Sequence, residues 1–197
     1  VTITLEPERS EELTVHVRVP GWARSRPVPS DLYRYLDSRE EPFVLAVNGE
    51  PRTVELVKGF AALRRTWKKG DTVELSLPMT VRRVVSHERV EANAGRVALE
   101  RGPVVYCAEG VDNDGQVFNL VLPDDAPLEA RHRGELLGGL SVIEGRALAL
   151  SPSEDGRSVV TREQDFVAIP YYAWAHRGEG EMAVWLPRRV LLDFRVP

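Results

Sequence analysis

The sequence predicts an all-β protein built as two consecutive antiparallel β-sandwich domains of jelly-roll type. Three observations carry the prediction. Apolar residues recur at period two, the spacing of a strand with one buried face. Turn residues separate the apolar stretches at short, regular intervals. No long stretch keeps the 3.6-residue period of a helix.

Taken in order, residues 1–7 alternate like a strand. Leu13, Val15, Val17 and Val19 alternate with Thr14, His16 and Arg18, so a second strand buries its odd-numbered side. Residues 26–42 form a proline-rich insertion. Within it, 30–38 are expected to make one or two helical turns, with Ser30 or Asp31 as N-cap. Insertions of this length are commonly functional, interfacial or disordered. Residues 43–47 are continuously apolar, as in a strand covered on both faces, and end at Asn48-Gly49. That pair suits a type I′ turn, whose two central residues need positive φ. After a turn at Lys69-Gly70-Asp71, Val73, Leu75 and Leu77 alternate with polar neighbours. Further strands are expected at 81–85, 96–100, 104–108, 117–122, 147–150, 166–169, 182–186 and 190–196, with a turn at 112–115. The polar segment 86–94 sets the expected boundary. The domains then run over 1–90 and 91–187, with 188–197 a terminal strand available to return to the first sheet.

The 197 residues suffice for one large or two small domains, and 43% hydrophobic content suffices for their cores. The net charge of -4 and the lack of a basic stripe argue against a nucleic-acid partner. No apolar run approaches the roughly 20 residues that span a bilayer, so no membrane partner is expected. The reading is a soluble protein, with the cytoplasm favoured among compartments the sequence leaves open. The chain does not begin with Met and reads as a piece of a longer protein. One cysteine excludes an internal disulfide.

The densest cluster of reactive residue types is 95–109, where Cys107 lies near Glu100 and Glu109. A nucleophilic cysteine needs a cation, a metal or a helix N-terminus to lower its pKa. Cys107 instead ends an apolar strand and has no neighbouring His, so it is expected to be a buried, metal-free core residue. His16, His87, His132 and His176 show no metal-ligand spacing. Asp112-Asn113-Asp114-Gly115 lacks the alternating ligands of a calcium loop and reads as a turn. No catalytic, cofactor-binding or metal residue is assigned. Trp67, Trp174 and Trp185 are expected in a core or interface. Trp22, Tyr33 and Tyr35 are the candidate contacts for a carbohydrate or a partner domain, the two tyrosines keeping some exposure.

Several short segments form an ordered series: Val17-Arg18-Val19-Pro20-Gly21-Trp22-Ala23, Val47-Asn48-Gly49, Arg64-Arg65-Thr66-Trp67-Lys68-Lys69-Gly70-Asp71 and Leu75-Ser76-Leu77-Pro78-Met79. The 95–109 stretch, Asp112-Asn113, 169–178 and Met182-Ala183-Val184-Trp185-Leu186 complete the series. In this order they resemble glycoside hydrolase family 127, the group typified by β-L-arabinofuranosidases. The resemblance implies two β-sandwiches without the N-terminal (α/α)₆ barrel that carries the family's zinc-bound cysteine nucleophile. Zinc is therefore expected only in the missing catalytic domain, and none of its ligands maps onto this chain. The implied role is non-catalytic: packing on the absent barrel, with a homodimer and arabinose-containing glycans as further partners. An autonomous carbohydrate-binding module is the alternative, and a self-standing hydrolase with convergent carboxylates the third reading. A sandwich deprived of its barrel is expected to expose an apolar patch, to which 26–42 contribute.

Overall fold

The computed structural model describes residues 1–37 and 41–190. The first half of the chain forms β1 (Thr2–Thr4), β2 (Glu11–Arg18), β3 (Tyr33–Tyr35), β4 (Val44–Val47), β5 (Glu50–Pro51), β6 (Leu56–Val57), β7 (Phe60–Trp67) and β8 (Thr72–Ser76). The second forms β9 (Val81–Ser86), β10 (Arg96–Arg101), β11 (Val104–Glu109), β12 (Leu120–Val121), β13 (Leu128–Arg133), β14 (Leu140–Pro152), β15 (Val159–Pro170), β16 (Met182–Ala183) and β17 (Leu186–Pro187). Every pairing among the described residues is antiparallel, and the fold is all-β as expected. Among the described residues no helix is long and apolar enough to cross a membrane.

The chain divides into two compact units. The first comprises Val1–Pro29 and Ser38–Met79; the second comprises Ser30–Asp37 and Thr80–Pro197. The expected break within 86–94 therefore falls too late. β9 pairs along Val81–Val84 with β10, and those ladder hydrogen bonds fix it in the second unit. The expected helical turns at 30–38 are also corrected. Tyr33, Arg34 and Tyr35 pair with Ser86, Val85 and Val84, so the segment is an edge strand of the second unit inserted in the sequence of the first. Tyrosine is at home on a pleated surface, and the ladder outweighs a weak local helix signal. The strand expected to return over 188–197 has its pairing segment outside the described residues.

In the first unit a sheet ordered β1-β8-β4-β5 and a sheet ordered β2-β7-β6 contribute to one core. Leu45, Val47, Val73 and Leu75 come from the former, and Val17, Ala61, Leu63 and Trp67 from the latter. Trp67 is fully buried, and its indole N–H donates to the Leu13 carbonyl at 3.1 Å, which satisfies the one polar atom of the ring. Asn48 and Gly49 both take positive φ, 54° and 78°, and close the β4–β5 hairpin as their sequence dictates.

The second unit is built on a sheet ordered β12-β14-β15-β11-β10-β9-β3, with β13 on β14, β16 on β11 and β17 on β10. The long β14–β15 hairpin pairs continuously from Ile143↔Ala168 to Pro152↔Val159. Gly145 sits where β14 passes beneath Pro127, and a Cβ there would overlap the Pro127 carbonyl oxygen. Alternation on β11 feeds two different cores. Tyr106 and Ala108 join Leu99, Ile143 and Phe166 on one face. Cys107 joins Val142, Val167 and Ile169 on the other. Both faces are covered from Tyr106 to Ala108, where the strand reads apolar without interruption.

Candidate functional site

β11 ends in the stretch that carries Cys107 and Glu109. Cys107 is 1% exposed among Leu140, Val142, Val167 and Ile169. Burial first, and the nearby Glu109 carboxylate second, push its thiol up to about 12, against the pull of Arg177. A thiol held neutral in this way is not a nucleophile at neutral pH. Among the described residues no group of three His, Cys, Asp or Glu side chains is placed to hold a metal ion.

The two carboxylates near Cys107 are both engaged. Glu100 accepts the Tyr35 hydroxyl at 3.0 Å. Burial raises its carboxyl above the ordinary value, and the Tyr35 hydrogen bond and the Arg82 charge oppose that rise. Tyr35 is held on its other side by the Arg82 guanidinium, 4.1 Å from its ring centroid, which is itself tied to Asp37 at 2.7 Å. Burial, with the Glu100 charge, drives the Tyr35 phenol well above its ordinary range.

Glu109 lies at the centre of a second network. Its Oε2 pairs with Arg177 Nη2, and its Oε1 accepts the Ala175 N–H at 3.0 Å. Arg177 also binds Asp112 through both nitrogens, with Nη1 to Oδ1 at 2.8 Å. These bonds hold the guanidinium in its charged form, above even its ordinary value. Asn113, almost wholly buried, donates to the Glu109 and Val167 carbonyls at 2.8 and 2.9 Å and accepts the Val167 N–H at 3.1 Å. The 112–115 segment is thus a turn stitched to β15, with Asp112 and Asp114 paired to Arg177 and Arg162. Glu181 accepts the N–H groups of Val117 and Phe118 at 2.8 and 3.0 Å, which lowers its carboxyl pKa.

The result is a clamp on residues 171–181, and it presents aromatic rings to solvent. Tyr171, Tyr172 and Trp174 are 46%, 67% and 40% exposed. The rings of Tyr171 and Trp174 stack at 5.9 Å with 25° between planes. Val111, which lines the same recess as Trp174 and Arg177, and Phe118, held by Glu181, are exposed as well. Of the tryptophans expected in a core or interface, Trp67 is a core residue and Trp174 is not, which leaves an interface for Trp174. The sequence contains no local signal for this exposure, because the clamp joins residues 68 apart, from Glu109 to Arg177.

The three predicted contact residues fare differently. Trp22 is half-buried against the first unit's core. Tyr33 is half-buried in the second unit, with its ring 5.7 Å from that of Trp185. Tyr35 is 7% exposed, so the expected accessibility is overturned by its pairing with β9 and its bond to Glu100. The structure brings Tyr33 and Tyr35 into one cluster with Val84, Ala98 and Trp185; Trp22 belongs to the other unit.

Comparison with known proteins identifies the two parts. Residues 1–79 match the family model for the β-L-arabinofuranosidase family 127 middle domain, and residues 81–187 match that for the glycoside hydrolase family 127 C-terminal domain. A non-reducing end β-L-arabinofuranosidase from Bifidobacterium longum subsp. longum is 35% identical over 185 residues, which is 87% of this chain and 25% of that protein. A solved family 127 β-arabinofuranosidase superposes with a TM-score of 0.88 at 42% identity. A β-L-arabinofuranosidase of the same family from Geobacillus stearothermophilus T6 gives 0.81 at 40%. Each of these structures covers 94% of this chain, which spans only 29% and 28% of their lengths. The chain belongs to glycoside hydrolase family 127, as the β-sandwich middle and C-terminal domains of that family.

Proposed function

We propose that this chain is the non-catalytic β-sandwich portion of a glycoside hydrolase and that the exposed aromatic shelf of the second unit packs against a catalytic domain outside these residues. The whole protein would release β-L-arabinofuranose from the non-reducing ends of arabinose-containing glycans, the activity for which the Bifidobacterium relative is named. The observation that carries this reading is the combination of an apolar shelf at Tyr171, Tyr172 and Trp174 with a short share, about a quarter, of the relatives' length. Contiguous exposed apolar surface on a stable sandwich marks an interaction face. The reactive residue types of the 95–109 stretch support the same reading. Cys107 is a neutral buried thiol, and Glu100 and Glu109 are occupied by Tyr35 and Arg177.

The test is an assay of the 197-residue chain with aryl β-L-arabinofuranosides. Turnover no faster than that of a heat-denatured control is expected. Saturable turnover abolished by Glu109→Gln would establish the self-standing hydrolase instead. A homodimer through the same shelf predicts that the isolated chain sediments as a dimer and that Tyr172→Ser with Trp174→Ser makes it a monomer.

A second reading, an autonomous carbohydrate-binding module, is favoured by the stacked Tyr171–Trp174 pair, since sugar rings pack on exposed aromatic faces. It predicts chemical-shift changes at these two rings on titration with arabino-oligosaccharides. Their absence at millimolar ligand removes it.

A further inference from the structure

Asn48-Gly49 is the single Asn-Gly pair in the sequence, and both residues are exposed at the β4–β5 turn of the first unit. Asparagine is one of the thermolabile residue types. Its side-chain amide can react with the next peptide nitrogen, and a following glycine, with no Cβ, leaves that nitrogen unhindered. Beyond the chain neighbours, no heavy atom stands within 4 Å of the place a Gly49 Cβ would take.

The fold opposes this reaction. Asn48 is tied to Asp71 and Thr72 at the start of β8. Its N–H donates to the Thr72 carbonyl at 3.0 Å, the Thr72 N–H donates to its Oδ1 at 2.7 Å, and its Nδ2 donates to Asp71 Oδ1 at 2.9 Å. A donor on one side and a carboxylate on the other fix which way the carboxamide points. Asp71 is itself held, its Oδ2 accepting the Lys68 N–H at 2.8 Å. That bond first, and the Asn48 amide second, keep its carboxyl below the ordinary value, so it faces Asn48 as a carboxylate. Attack on Cγ needs the carboxamide free to rotate, and here rotation breaks both side-chain bonds.

We infer that Asn48-Gly49 is a deamidation site that the folded first unit holds shut and that reacts when this corner opens. The Gly49 nitrogen bonds to Asn48 Cγ, the Cγ–Nδ2 bond breaks, and Nδ2 leaves as ammonia with the Gly49 proton. Water then adds to one of the two carbonyls of the cyclic imide. Cleavage at Cγ gives aspartate. Cleavage at the main-chain carbonyl gives isoaspartate, whose backbone is one methylene longer. Either product fits poorly. Aspartate sets a second carboxylate against Asp71 where a donor stood, and isoaspartate lengthens the turn that fixes the β4–β5 register. A chain that has opened here is thereby marked and weakened. This goes beyond the accessory reading and uses none of the shelf residues.

The test compares the 197-residue chain with a synthetic peptide of residues 44–52 in the same mildly alkaline buffer, by mass spectrometry of the tryptic fragment that carries Asn48. Asn48 in the folded chain is expected to convert at least about tenfold more slowly than in the peptide, because reaction waits on opening. Asn48→Asp tests the product directly, since Asp before Gly still suits the turn. It is expected to lower the melting temperature of the first unit by about 4–8 °C, and adding Asp71→Asn, which returns a donor to the pair, to recover about half of that or more. A folded chain that converts less than about tenfold more slowly than the peptide would overturn the assignment. So would an Asn48→Asp chain that melts with the wild type, or a double variant that melts no higher than Asn48→Asp alone. None of these outcomes touches the aryl-glycoside assay, so the two readings stand or fall separately.

Discussion

Residues 33–35 and 171–174 are both short, tyrosine-rich segments of the second unit, and they spend their aromatic rings in opposite ways. The first is a strand. Its backbone is taken up by β9, and Tyr35 is driven inward until its hydroxyl meets Glu100 and its face meets Arg82. The second is a single 3₁₀ turn that follows β15, and only Ala173 of it is buried. Its rings stay outside because the chain behind them is anchored by charge, through Arg177 to Glu109 and Asp112. A ladder positions side chains by alternation and so buries every second one. A charged clamp fixes the backbone without consuming the side chains in front of it, which leaves them for a partner.

The difference can be broken experimentally. Arg177→Ala removes the cation from a nearly buried trio and leaves two carboxylates uncompensated, so a loss of about 3–5 kcal/mol is expected in urea unfolding. A loss below about 1 kcal/mol would mean that the clamp does not anchor the shelf. Tyr35→Ala opens a cavity beneath Arg82 and strands Glu100, with an expected cost of about 3 kcal/mol, whereas Tyr35→Phe forfeits only the hydrogen bond, about 1 kcal/mol. Equal costs for the two variants would show that the hydroxyl, not the ring, holds the edge strand.

Cys107→Ala is expected to cost about 1 kcal/mol as a small core truncation. It should also change the alkaline limb of stability. The folded thiol ionises at about 12, above the ordinary value, so the unfolded chain releases its proton first. Stability is full below the ordinary thiol range, falls as pH rises through about 8.5 and is lost toward the folded value. The Ala variant should lack that slope, and the wild-type thiol should react with a disulfide reagent only on unfolding. Last, Tyr172→Ser and Trp174→Ser should each change the stability of the isolated chain by no more than about 0.5 kcal/mol, since both rings are exposed. A cost near that of Tyr35→Ala would erase the contrast between the two segments.

What could be read from the sequence divides along the same line between local and distant. The Asn48-Gly49 hairpin was legible because two adjacent residues dictate it. The burial of Cys107 was legible because the strand around it is apolar on both sides. β3 was not, because its three residues acquire strand geometry only from β9, some fifty positions later. β13 was missed because Glu129, Arg131, His132 and Arg133 make it polar, as befits a strand added to the margin of a sheet. The exposure of Trp174 was hidden for the same reason as β3: Glu109 and Arg177 carry no mark in the sequence that they are partners. The resemblance to family 127 was legible from ordered short motifs, and it identified the domains without locating the shelf.

The insertion of residues 30–37 into the sequence of the first unit has a consequence for how the pair is made and inherited. During synthesis that edge strand leaves the ribosome well before its partner β9 exists, so it must wait, unpaired, while the first unit condenses around its flanks. A gene cut at Met79/Thr80 would separate Tyr35 from Glu100 and deliver a second unit with an open sheet edge. The two sandwiches are therefore expected to travel together through evolution as one module, and recombination between them should be selected against even where each core is complete.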